Sequence, residues 1–410
     1  MEKRLEQTLK TDIRTISLVA LAHGLSHFFQ IATAVVFPLI KDDLDVSYVA
    51  LGGTVALFYV VSGIFQTVSG FAVDRFRARR VLFIGIVLST AGALIAGFAQ
   101  SYAMLVVAAL VGGLGNSVFH PCDFSILNAR VHRDRLGYAF SGHGISGYLG
   151  YAAAPVYGIT MAAAVGWRGA LLGAAAIGAV VIVVLAIWRD AIHVEPADSR
   201  NAEGEGGVMA DARVLASLPV LMCFGYFILV SVAFVAMQNF GVVSFMALYG
   251  ASAALASVAL TSYLLGGATG ILFGGFVAVR TARHDLAAVA GMAASAALMF
   301  VIASAWFAPA LLPVLCAAAG FATGATGPSR DMIVRATTPP GATGKVYGFV
   351  YSGLDVGSMA TPLYFGWLLD GGRPTMVFYT VVLTAILTIA TVLNLPARTV
   401  APAKAGAHRS

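Results

Sequence analysis

Apolar runs of about 20 residues, separated by short polar breaks, recur along the chain from Ile16–Leu39 to Met376–Leu395. Each is long enough as a helix to cross a hydrocarbon layer of about 30 Å. Helices satisfy their backbone N–H and C=O groups internally in such a layer, without closing into a barrel. Counting runs between polar breaks predicts six helices before about Arg189 and six after about Arg213. A charged head of about fourteen residues precedes the first run, and no small-residue cleavage site follows it, so a retained helix is expected there and not a signal peptide. Between the two sets of helices, Asp190–Asp211 contains EPADSRNAEGEGG and has the low hydrophobicity of a flexible linker. The expected organisation is a six-helix half over 1–189, a cytoplasmic linker over 190–213, a second six-helix half over 214–397 and a cytoplasmic tail over 398–410.

The two halves repeat each other. A shift of 207 residues superimposes Pro121 on Pro328, Gly137 on Gly344, Gly150 on Gly357 and Pro155 on Pro362. A shift of 205 places Gly70–Arg75 (GFAVDR) over Gly275–Arg280 (GFVAVR). A duplicated unit with an even number of crossings keeps its orientation, so the halves should be related by an axis along the membrane normal, with the solute site between them.

Composition agrees with that picture. Of the 410 residues, 59% are hydrophobic and 11% charged, far from the roughly one quarter charged of an average soluble domain. The formal charge of +6 does not indicate a nucleic-acid partner, because the basic residues are spread over short loops. With a cytoplasmic N-terminus, Lys41, Arg168 and Arg373 are the only basic residues in outside loops and Arg330 is intramembrane, which leaves the rest inside. Cys122, Cys223 and Cys316 show neither metal-binding nor disulfide spacing. A nucleotide-binding glycine loop, a zinc motif of usual spacing and a large extramembrane region are all missing, so neither an enzyme nor a cofactor is expected, and transport would draw on gradients.

Between the second and third helices runs Gly70-Phe-Ala-Val-Asp74-Arg75-Phe-Arg77-Ala-Arg79-Arg80. It resembles the cytoplasmic loop motif of the major facilitator superfamily, G-x-L-a-D-r-x-G-r-k, and departs from it at Arg77 and Ala78. The resemblance implies an all-α membrane protein of two pseudo-symmetric six-helix bundles, acting as a monomer in a bacterial inner membrane with both termini cytoplasmic. It also implies a gating latch of Gly70, Asp74, Arg75 and Arg79, in which Gly70 lets helices approach and Asp74 pairs with a helix terminus and basic side chains. Gly115-Asn-Ser-Val-Phe-His120-Pro121 looks like a stretch of the fosmidomycin-resistance branch of drug exporters. Gly150-x-x-x-Ala154-Pro155-Val-Tyr-Gly158 approximates an antiporter motif. Its shape recurs at Gly357-x-x-x-Thr361-Pro362, which suits helix packing as well as export.

Charges within membrane helices cost roughly 2.5–3.5 kcal/mol each, so they mark sites of function. Asp123, Arg330 and Asp355 are such charges. Asn116, His120 and Asp123 share one face of the fourth helix, and Thr323, Gly327 and Arg330 are their repeat mates. The divergence of Asp123 and Arg330 to opposite signs suggests an inter-half salt bridge, two asymmetric ends of a solute site, or solvated charges at the inner ends of long helices. His23, His27 and Gln30 share one face of the first helix and suit proton coupling, solute contact, helix-to-helix hydrogen bonds or a metal ion. For a metal, His120, Asp123 and His143 are the further ligands by type. Tyr59, Ser62, Gln66 and Ser69 form a stripe on the second helix, and Tyr347, Tyr351, Asp355 and Ser358 one on the eleventh. Met237-Gln238-Asn239 suggests a local break near the outer end of the seventh helix.

The leading expectation is a secondary active transporter that moves a small, polar, anionic organic solute with protons by alternating access. Arg330, His23, His27, Gln30, Asn116, His120, Tyr148 and Tyr351 would contact the solute, and Asp355, Asp123 and His27 would carry protons. The alternatives are proton-driven export of drugs and transport of a metal or metal chelate through His23 and His27.

Overall fold

The computed structural model describes residues 2–194 and 208–395, so the predicted tail over 398–410 and residues 195–207 of the linker lie outside the described residues. Among the described residues there is no strand, and twelve long helices are present. They are α1 (Glu2–Val35), α2 (Tyr48–Arg75), α3 (Ala78–Gly97), α4 (Tyr102–Arg130), α5 (136–165), α6 (167–187), α7 (Leu218–Tyr249), α8 (Ala253–Arg280), α9 (His284–Ser304), α10 (Leu312–Thr337), α11 (Thr343–Asp370) and α12 (Pro374–Leu393). The predicted six before and six after the linker are thus present as helices. Of the linker's flanks, Arg189–Ile192 forms a single 3-10 turn and Val208–Leu215 a short helix.

Local chemistry explains several boundaries. Ser47 caps α2 by accepting from the Ala50 N–H at 3.1 Å, and Ser252 caps α8 by accepting from the Leu255 N–H at 3.2 Å. Those two serines are 205 residues apart, the offset that aligns the following loop motifs. Only Gly166 separates α5 from α6, with φ 75° and ψ 169°, a conformation that a side chain disfavours. Helix α4 is broken at Ser117 and Val118. The ring of Pro121 displaces the carbonyl four residues earlier, which belongs to Ser117. Within α7, Ala236–Phe240 forms a π-helical turn at the predicted break around Gln238.

Helices pack through small residues, as membrane helices do without a hydrophobic drive between them. On α8 and α10 the backbones nearly touch: a methyl group on Gly324 would lie 2.8 Å from the Gly267 carbonyl carbon. Gly150 of α5 packs on Gly24 of α1, and Gly357 of α11 packs on Ile228 and Ser231 of α7. The two antiporter-like stretches therefore serve equivalent packing contacts in the two halves. Apolar side chains such as Ile64, Val156 and Leu265, 62%, 69% and 63% exposed, form the outer surface, as a bilayer solvent requires.

Two groups of polar contacts mark the ends of the bundle. At one end Arg168 meets Asp43 at 2.8 Å and the Ala99 carbonyl at 2.9 Å, joining three loops that sequence places on the outer side. At the other, Asp12 binds Arg135 at 2.6 Å and Lys345 binds Asp211 at 2.6 Å. Near this second end the halves meet along two seams. Gly70 of α2 approaches Gly344 and Lys345 of α11, and Gly137 of α5 approaches Gly275 and Ala278 of α8. Gly137 and Gly344 are repeat mates, as are Gly70 and Gly275, so one contact is the pseudo-symmetric image of the other.

Candidate functional site

A cavity of about 1330 Å³, its mouth included, lies between the halves. Its walls include His23, His27, His120, Tyr148 and Tyr151 from the first half and Phe234, Thr323, Arg330, Asp331 and Tyr351 from the second. Beside it a hydrogen-bonded chain passes from one half to the other. The Asp355 carboxylate on α11 accepts from the Gln66 side-chain amide on α2 at 3.2 Å. That bond orients the amide, so its Oε1 accepts from Nδ1 of His120 on α4 at 2.8 Å. The approach needs Gly63, since a Cβ there would stand 3.0 Å from the Asp355 Cβ.

The first-helix face arranges itself around α4 and α5. His23 Nδ1 lies 2.8 Å from the His143 carbonyl oxygen, and its Nε2 lies 3.0 Å from Nε2 of His27. Below them His143 Nε2 sits 3.2 Å from an Asp123 carboxylate oxygen, and both side chains are buried. One turn further along α1, Gln30 donates to Asn116 at 3.1 Å and accepts from the Tyr151 hydroxyl at 2.5 Å. Asn116 then donates to Ser62 on α2 at 2.8 Å. Gln30 and Asn116 thus tie α1, α2, α4 and α5 together.

The inter-half salt bridge that the repeat suggests between Asp123 and Arg330 does not form. Asp123 turns to His143 within its own half, and Arg330 donates Nε–H to Asp331, the next residue, at 2.9 Å. Arg330 also reaches the Tyr351 hydroxyl at 3.5 Å and lies over the Phe227 ring at 4.5 Å. Tyr351 donates to Asp331 at 2.8 Å, and its ring stands 4.5 Å from that of His120, so it links the arginine pair to the histidines. Tyr148, the repeat mate of Asp355, lies on the cavity wall with its ring 6.0 Å from that of Phe234.

The loop motif divides its work. Asp74 accepts from the backbone N–H of Gly344 at 2.7 Å and of Lys345 at 2.9 Å, at the start of α11. The arginines expected to share this latch are elsewhere: Arg79 binds the Arg189 carbonyl at 3.2 Å and the Asp190 carboxylate at 3.6 Å, and Arg75 is exposed at the end of α2. Unsatisfied N–H groups at a helix start are the better partner for a carboxylate here.

The sequence reading passes over Asp331 and Tyr151. Asp331 carries a signal that could have found it, a carboxylate directly after an intramembrane arginine. Tyr151 carries none beyond its hydroxyl in an apolar run.

Comparison with known proteins follows the same lines. The sequence pattern of the Major Facilitator Superfamily matches residues 19–255 and 228–409. The fosmidomycin resistance protein of Escherichia coli K12 is 25% identical over 285 residues, 67% of either chain. A probable sulfoacetate transporter, SauU, of Cupriavidus necator is 25% identical over 176 residues, 42% of this chain and 41% of that one. The fold is that of a crystal structure of FucP, a Major Facilitator Superfamily transporter in the outward conformation. The TM-score is 0.72 over 94% of this chain and 99% of FucP, at 14% identity.

Proposed function

This chain belongs to the major facilitator superfamily of secondary transporters, and we propose that it moves a small, polar, acidic solute across a bacterial inner membrane together with protons. The observation that carries the reading is the chain Asp355–Gln66–His120, which crosses from one half to the other beside the cavity. An ionised Asp355 holds the amide of Gln66 as its donor. A protonated Asp355 offers that amide only an uncharged acceptor, which weakens the bond, and gains an O–H that competes with His120 for the amide oxygen. Proton uptake then alters a bond between the halves, which is what coupling requires.

Arg330 attracts the solute. Two of its N–H groups are engaged by Asp331 and Tyr351, which fix its position, and its other donors serve an acidic group. The sulfoacetate relative, named for an acidic solute, supports this class. By the positive-inside bias, the end carrying Asp74 and Lys345 faces the cytoplasm. The halves meet near that end, so this arrangement is outward-open, with Asp74 latching the inner side. The protein acts as a monomer.

Proteoliposomes with an imposed pH gradient test the reading, with sulfoacetate as the first solute. The gradient should drive accumulation in the wild type. Arg330→Ala should abolish solute movement and Asp355→Asn its dependence on pH. Wild-type rates in both variants would overturn the assignment.

A second reading, proton-driven drug export, is favoured by the fosmidomycin resistance relative. Expression in a pump-deficient host separates the two: an exporter raises fosmidomycin tolerance, and an uptake system does not.

A further inference from the structure

We propose that His23, His27 and His120 form a site for one divalent first-row transition-metal ion, opening on the central cavity. Each offers one ring nitrogen, and the three nitrogens lie within 4.8 Å of one another. Two helices supply them, His23 and His27 one turn apart on α1 and His120 just past the break in α4.

Their hydrogen bonds leave the nitrogens suited to a metal. His23 Nδ1 faces a carbonyl oxygen, that of His143 at 2.8 Å, so Nδ1 carries the proton and Nε2 presents its lone pair. His120 is set in the same way, its Nδ1 held 2.8 Å from the Gln66 amide oxygen, whose orientation Asp355 fixes. Histidines bound to metals take this form, one nitrogen on the ion and the other N–H on an oxygen of the surroundings. His27 Nε2 stands 3.0 Å from His23 Nε2, and its Nδ1 has no hydrogen-bond partner among the described residues. His27 Nε2–H donates to the His23 Nε2 lone pair, and an ion that takes that lone pair leaves the His27 proton free to move to the unpartnered Nδ1, which bares Nε2 as a ligand. Two nitrogens 3.0 Å apart subtend about 95° at an ion bound to each at about 2.0–2.1 Å, about 15° tighter than a tetrahedral site, which a small rotation of the half-buried His27 ring opens.

The surroundings complete the case. His143 stacks on His23 with ring centroids 3.5 Å apart and itself contacts Asp123, whose other oxygen is buried without a partner. His27 and His120 are half-buried and line the cavity, so an ion reaches them from there and keeps its remaining positions towards solvent or solute. Imidazole nitrogen suits zinc, nickel, cobalt and copper, whereas magnesium and calcium demand oxygen ligands. The site shares His120 with the coupling chain through Gln66 and Asp355, but binding is measured without transport, so its failure is distinct from a failure of the coupling reading.

The test is calorimetric titration of the full chain, purified without a histidine tag, with Zn2+ and with Mg2+, beside the visible spectrum of the same protein with Co2+. One zinc ion per chain should bind while magnesium gives no heat. His27→Ala and His120→Gln should each weaken zinc roughly tenfold or more. The cobalt spectrum should show the intense visible bands of a four-coordinate, nitrogen-ligated ion. Zinc binding unchanged in both variants would overturn the proposal. So would a cobalt spectrum identical to that of the free ion, a result that needs no variant to fold.

Discussion

Asp74, at the end of α2, caps the start of α11 from the other half of the molecule by accepting the Gly344 N–H at 2.7 Å. Helix α11 begins at Thr343 after Ala342, a residue with no side chain able to cap, and Asp74 supplies that group from across the seam. At the pseudo-symmetric seam the residue equivalent to Asp74 is Val279, whose side chain faces Gly137. The closed end is therefore held by a charge-assisted bond at one seam, and at the other by apolar contact at Val279 beside neutral-acceptor hydrogen bonds, Ser141 to the Ile271 carbonyl at 2.5 Å and Arg280 to the Tyr138 hydroxyl at 3.2 Å.

Removing the capping group weakens the closed end. A lost cap costs about 0.5–2 kcal/mol, a change of a few-fold to about 30-fold in the balance between states. Asp74→Ala should raise the labelling of a cysteine placed in the cavity by reagents from the cytoplasmic side. Asp74→Asn, which still accepts, should raise it less.

Crowding the same seam should act more strongly. A methyl group on Gly70 would stand 2.8 Å from the Lys345 Cα, against backbone that cannot yield as a flexible side chain does. Overpacking of this kind costs about 1–3 kcal/mol. Gly70→Ala should raise the labelling further than Asp74→Ala does, together with a fall in transport. The mirror substitution Gly137→Ala should do the same at the other seam.

Arg330 and Asp331 form a pair with side chains 20% and 4% exposed. Breaking a buried pair costs about 3–5 kcal/mol, and the exposure of this arginine places it near the lower figure. Arg330→Ala should lower the unfolding midpoint in detergent, and Arg330→Ala with Asp331→Ala should recover most of the loss. Solute movement should stay absent in both, which separates the arginine's part in stability from its part in binding.

Gln66 is the link that the coupling reading needs. Gln66→Leu keeps its bulk and removes both hydrogen bonds. Solute exchange down its own gradient should persist, and accumulation against a gradient should fall at least about tenfold, a loss of roughly 1.4 kcal/mol of coupling.

How much of this was legible in the sequence depends on the range of the interaction. Helix number follows from run length, a local property, and the repeat offsets match glycines that the fold then sets against each other at the two seams. The bonds at the site were not legible. The offset that aligns Asp123 with Arg330 fixes where their backbones stand in the two halves, and it does not fix where side chains turn. Each found a partner that a repeat comparison cannot see, His143 one helix away and Asp331 next in the chain. The helix terminus expected for Asp74 is there, at the start of α11, but the latch arginines were misplaced, since the motif gives their charge and not which loop each will reach. The histidine face of α1 was visible from spacing, but its closure by His120 and His143 needed the packing of α4 and α5 on α1.

Proton flux that accompanies solute entry tests the central claim most directly. Proteoliposomes carrying a pH-sensitive dye inside should report a change in internal pH when wild-type protein takes up an organic acid that it exchanges. With Asp355→Asn the same solute should exchange while the dye stays still. Solute-linked proton flux of wild-type size in Asp355→Asn would contradict the account.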